Sequence, residues 1–213
     1  MLLTKTIVIL ANSIKHGGHC IAGKDINSKE WIRAVSDVHG AELSNQQCRC
    51  TNDSWNGSYP PRILQKVKIS FSQVSPLINQ PENHVVCTNT VWHQEYKINP
   101  CDLGIYLDYP STLWGYGNAT NYHEIENGSI LISQSLYLVQ VTNLKLHSHI
   151  DNYNKTKRRA SFSYNGCDYD FPVTDPNFDS ILNNSSQLLN ILCISLGEQF
   201  SDGLCYKIVA TIF

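Results

Sequence analysis

Apolar and polar positions alternate over residues 63–74. Val67, Ile69 and Phe71 fall on one side, and Lys66, Lys68 and Ser70 on the other. A period of two is that of a strand with one face buried. β-Branched residues mark a further strand at 6–10, and a hairpin-like pair is predicted at 19–23 and 30–35 around a turn at 24–29. Residues 84–87 and 91–92 add short strands, and 100–113 hold a helical turn before Pro110. Residues 45–61 crowd Asn, Asp, Ser, Gly and Pro together and read as a loop.

The second half is clearer. An apolar-rich strand at 136–147 is followed by a hairpin, 158–164 and 167–174, closed by Asn165-Gly166. A helix-compatible segment starts at Asp175, and strands follow at 191–196 and 204–213. Strand–strand–strand–helix–strand–strand is the order of an OB barrel. The two-residue turn also fixes register: Tyr164 faces Cys167, Phe162 faces Tyr169 and Ala160 faces Phe171. The aromatic row is predicted to fill the barrel, with Ser161, Ser163, Asp168 and Asp170 outside. Its functional alternative is a stacking platform for bases, but the opposite row holds no apolar residue to make a core. The Gly-, Asn- and Tyr-rich stretch 113–128 suggests a division into 1–128 and 129–213.

Composition then limits function. Charged residues make up 16% of the 213, and the net charge is −2, so no global field gathers polyanions. Any nucleic-acid affinity must come from local patches. The apolar run at 7–11 is too short for a signal h-region or a membrane span, which predicts a soluble, cytoplasmic protein. The eight cysteines are scattered and read as reduced thiols.

Two basic clusters stand out. Residues 145–159 carry Lys145, His147, His149, Lys155, Lys157, Arg158 and Arg159 against Asp151, and read as a connector able to contact phosphates. The other is Lys15-His16-Gly17-Gly18-His19, between the first two strands. Its glycines could turn backbone N–H groups toward an anion. Trp31 and Arg33 could join it, one stacking on a base and the other forking onto phosphate. The first cluster also reads as a solvated loop between two strands, and the second as a glycine turn with a core Trp. A zinc site from His16, His19, Cys20, Cys48 and Cys50 lacks the usual paired spacing, and a Cys20–His pair lacks an orienting third group. No catalytic residue, metal or cofactor is therefore assigned.

Several motifs together resemble the bacterial dual OB-containing domain. They are residues 12–23 with Trp31-Ile32-Arg33, Gln80-Pro81-Glu82-Asn83-His84, Tyr164-Asn165-Gly166, Val173-Thr174-Asp175-Pro176, and Leu192-Cys193-Ile194-Ser195-Leu196-Gly197-Glu198 with Tyr206-Lys207. Ala34 stands where the family pattern has proline. The resemblance implies a mainly β fold: two OB-like barrels in one compact unit, with a short helix in the C-terminal barrel. It also implies a nucleic-acid or nucleotide role in prokaryotic conflict. The expected function is non-enzymatic binding of a single strand or nucleotide. The alternatives are a protein-interaction or ligand-sensing subunit that partners an effector, and a nucleotide-processing enzyme using the Gly-Gly loop. Residues 80–84 read either as a plain strand connection or as a loop that closes over a site. Asp175 is expected to cap a helix with Pro176 in its first turn.

Overall fold

A computed structural model describes residues 3–15, 17–184 and 188–213, without the side chains of Lys15, Trp55 and Asn56. The chain divides into two compact units, Met1–Tyr106 and Leu107–Phe213. The division falls earlier than 128 because Ala119–Asn121 pairs with the last strand of the chain and folds with the second unit.

The first unit contains β1 (Leu3–Lys15), β2 (Gly18–Asp25), β3 (Trp31–Val35), β4 (Cys50–Asn52), β5 (Trp55–Tyr59), β6 (Gln65–Val74), β7 (Asn83–Val86) and β8 (Trp92–Lys97), then a 3₁₀ segment, Pro100–Tyr106. Strand β1 pairs with both β2 and β6, β2 with β3, β3 in parallel with β7, and β7 with β6. That ring of five is an OB barrel, with β6 and β7 as its fourth and fifth strands. The alternation at 63–74 holds: Val67, Ile69 and Phe71 are fully buried. The turn at 24–29 is built by Asp25, whose Oδ1 accepts from the N–H groups of Asn27 and Ser28 at 2.8 and 3.0 Å.

Strands β1 and β2 approach so closely that a Cβ on Gly23 would lie 2.1 Å from the Val8 carbonyl oxygen. Only glycine fits there. The expected loop at 45–61 instead contains the β4–β5 hairpin, in which Cys50 faces Tyr59 and Asn52 faces Trp55. Its polar residues form the tight turn, where Ser54 N donates to Asn52 Oδ1 at 3.1 Å.

The second unit contains β9 (Ala119–Asn121), α1 (Tyr122–Glu126), β10 (Leu136–Gln140), β11 (Thr142–Ile150), β12 (Thr156–Tyr164), β13 (Cys167–Pro172), α2 (Phe178–Asn183), β14 (Ile191–Gln199) and β15 (Leu204–Ile212). The strand expected at 136–147 is two. β10 pairs with β14 and β11 with β12, and the chain changes sheet around Asn143, whose φ is +54°. The predicted hairpin register is found residue for residue. Positive φ at Asn165 and Gly166 fits a turn whose twist matches the strands. Ala160, Phe162, Tyr164, Tyr169 and Phe171 are buried, while Cys167 is only half-buried. A parallel bridge between Val173 and Val209 joins β13 to β15 and closes the barrel.

Two buried polar groups tie irregular segments to this barrel. Asp175 does not cap α2; Asn177 holds the cap position. Asp175 is 2% exposed and accepts from Asn177 N and from Ile212 N, at 2.8 and 2.9 Å, joining the helix to β15. Burial pushes its carboxyl above the ordinary range, against those hydrogen bonds. Lys207 lies between the core residues Cys205 and Val209 and is fully buried. Its Nζ donates to the carbonyls of Gly115, Tyr116 and Gly117 at 2.8, 3.2 and 3.0 Å.

Burial pushes the Lys207 ammonium down to about 8. Its folded value lies below the ordinary 10.5, so between these values the unfolded chain binds more protons and stability rises with pH. Urea unfolding of the wild type and Lys207→Met from pH 7 to 10 should show the difference moving toward the wild type. The ceiling is about 3 kcal/mol, because the carbonyls favour the charged form. A pH-independent difference contradicts this. Gly23→Ala is expected to prevent stable folding of the first unit, read as loss of its dispersed amide NMR signals.

Candidate functional site

The segment 145–159 is not a loose connector. It forms most of β11 and the start of β12, joined by a turn at 151–155. Asp151 Oδ1 holds that turn, accepting from Tyr153 N and Lys155 N at 2.9 Å each. Antiparallel register sets His147 opposite Arg159, His149 opposite Lys157 and Lys145 opposite Ser161. These positions alternate with Ala160 and Phe162 of the core, so they share the outward face. Two basic runs separated in sequence become two adjacent rows.

Carboxylates organise the rows. Arg159 Nε donates to Asp170 Oδ2 at 2.8 Å, and Ser161 Oγ donates to Asp170 Oδ1 at 2.9 Å. His147 Nε2 lies 3.7 Å from the same carboxylate. Burial acts to raise the Asp170 carboxyl, but the Arg159 and Ser161 bonds outweigh it and hold it below the ordinary range. Arg158 pairs with Asp179, and its guanidinium lies 5.8 Å from the Phe178 ring centre. Lys157 Nζ is 3.3 Å from Asp151. Lys155 and Lys145 are exposed.

Beside these side chains is a hollow of about 660 Å³, lined by His149, Lys157, Arg158, Arg159, Pro172 and Tyr206 among others. Tyr206 donates its hydroxyl to Asp202 Oδ2 at 2.6 Å and meets Phe200 edge-on, with ring centres 5.5 Å apart. Phe200 and Tyr153, on the turns after β14 and β11, are 57% and 84% exposed. Both turns therefore offer an aromatic ring near or on the basic surface. The sequence reading missed Tyr206, Asp170 and Asp179. The Asn165-Gly166 register already set Asp170 against Ser161, next to Arg159 on the outward row.

In the first unit, Lys15 and Gly18 are directly opposed, so the Gly-Gly segment is a tight β1–β2 connection. Gly17 has φ +82°. His16 lies outside the described residues. His19 is held on both ring nitrogens, 3.3 Å from Asn12 Oδ1 and 2.7 Å from Asn45 Oδ1. Trp31 is buried, with Lys24 Nζ 5.3 Å from its ring centre; Lys24 also donates to the Tyr106 carbonyl at 2.8 Å.

Arg33 shares a side of β3 with Trp31 and pairs with buried Glu82, 3.2 Å from Nε to Oε1. The 80–84 run does not form a lid. Gln80, Glu82 and Asn83 are buried, and Asn83 opens β7 opposite Arg33. Cys48 and Cys50 belong to the core, where burial pushes their thiols up to about 11 and about 12, away from a nucleophilic thiolate. Among the described residues, no three His, Cys, Asp or Glu side chains gather as a metal site.

Two closed rings, the second with β10 and β11 together serving as its first strand, each have a third strand bridged in parallel to the fifth and define a pair of OB folds. The family profile described as "Dual OB-containing domain" matches residues 5–212, and the chain belongs to that family. No curated protein and no solved structure gives a significant match. Among the described residues no helix is long and apolar enough to cross a membrane.

Inward and outward rows should respond differently to substitution. Phe171→Ala should cost about 3–5 kcal/mol in urea unfolding, and Asp170→Asn under about 1 kcal/mol. Equal costs would contradict the assignment of the two faces.

Proposed function

We propose that this protein is a non-enzymatic module that binds single-stranded nucleic acid, or a nucleotide, on the outward face of β11–β13. The observation that carries the reading is the pair of basic rows, Lys145, His147 and His149 beside Lys157 and Arg159, of which His149, Lys157 and Arg159 border a hollow with Tyr206 in its wall. Arginine forks fit phosphate, and exposed rings accept any base. The location is also the side that OB barrels commonly use: the second and third strands, with the loops after the first and fourth. The setting proposed with it is prokaryotic defence in the cytoplasm.

A second reading is a protein-interaction or ligand-sensing subunit working with an effector. Asp151, Asp170 and Asp179 favour it, because they neutralise three of the cations that a phosphate backbone would use.

Fluorescence anisotropy on DNA and RNA oligomers separates the two. With three phosphate contacts, affinity should fall about twentyfold between 50 and 200 mM salt. The double variant Lys157→Glu/Arg159→Glu should abolish binding. Loss on Lys15→Glu instead would move the site to the Gly-Gly loop with His16, Gly17, Gly18 and His19. No binding at low salt would overturn the nucleic-acid reading.

A further inference from the structure

We propose that the outer edge of β11 is a docking site for an extended acidic segment of a partner protein, which adds as a further strand beside residues 144–150. The pairing of β10 with β14 ends at Gln140 opposite Ile191. Past the bend at 141–143, β11 pairs with β12 alone, as the outer strand of the β11-β12-β13 sheet. Among the described residues, the backbone N–H and C=O groups of 144–150 that point away from β12 meet no protein partner. Such an edge is a template for another strand.

The edge is not bare. A hollow of about 700 Å³ runs against it, lined by Leu144 and Leu146 of the inward row and Lys145 and His147 of the outward row, with Leu182 and Leu188. A hollow that touches successive residues from both faces of one strand lies along that strand's margin. The four leucines are all half-buried.

A strand laid here would turn alternate side chains toward the leucines and the others toward Lys145, His147 and His149. Apolar residues alternating with Asp or Glu satisfy both rows. Lysine on an edge strand also guards against self-pairing, but a guard requires no apolar hollow next to it. The proposed nucleic-acid face shares Lys145, His147 and His149 with this edge, but only strand addition needs the free backbone groups and the leucine hollow, so sensitivity to peptide N-methylation tells the two apart.

The test uses the full chain and a labelled, capped peptide alternating glutamate with valine, followed by anisotropy and amide NMR shifts. The peptide should bind with a Kd below about 1 mM, with shifts centred on 144–150. Methylating alternate peptide nitrogens should weaken binding at least about tenfold by removing the ladder bonds. Lys145→Glu/His147→Glu should weaken it at least about tenfold and transfer preference to a lysine–valine peptide.

Absence of binding at about 1 mM, indifference to methylation, or shifts centred on Arg158 and Tyr206 would each overturn the proposal. So would the same shifts arising from self-association without peptide.

Discussion

The backbone turn at Asn165-Gly166 decides which way every side chain of the central hairpin points. Two residues at positive φ connect β12 to β13 with no slack, so Tyr164 must face Cys167 and the pairing runs on from there. A slip of β13 by one residue would send Tyr169 and Phe171 into water and bring Asp168 and Asp170 into the core. The same register places Asp170 where it can hold Arg159 and Ser161. Core and candidate site are two faces of one constraint.

Closure of the barrels raises a second problem, because the segments joining the strands are irregular and their polar groups are partly buried. The chain meets it with side chains that reach backbone. Lys207 gathers three carbonyls, Lys24 takes the Tyr106 carbonyl, and Asp175 accepts from two N–H groups. Buried charge is costly unless hydrogen-bonded. Here each charge fastens a connecting segment to a strand, and the Glu82 carboxylate holds the Arg33 guanidinium of β3 while the Glu82 carbonyl accepts from the Arg33 backbone N–H.

Much of the fold was legible because a period of two and an Asn-Gly turn are local signals. The second barrel's strand order, hairpin register and inward row could all be read that way. What escaped depended on partners far along the chain. The break between β10 and β11 arises because one half pairs with β14 and the other with β12. The β4–β5 hairpin was hidden by the polar residues that make its turn. Residues 80–84 look like a surface loop by composition, yet Gln80, Glu82 and Asn83 are buried and Asn83 pairs with β3. For the site, the basic rows were visible but their carboxylate partners were not, since Asp179 and Tyr206 reach them only through the barrel's closure. Trp31 and Arg33 read equally as ligand contacts or as core and strand residues, because sequence cannot show Lys24 and Glu82 beside them.

The central claim is that the outward face of β11–β13 is where this dual OB domain meets its ligand. Amide hydrogen exchange of the full chain, with and without a saturating single-stranded oligonucleotide at low salt, tests it most directly. The account predicts slower exchange confined to residues 145–159 and 200–206. Unchanged exchange there, or protection confined to the β1–β2 connection, would contradict it.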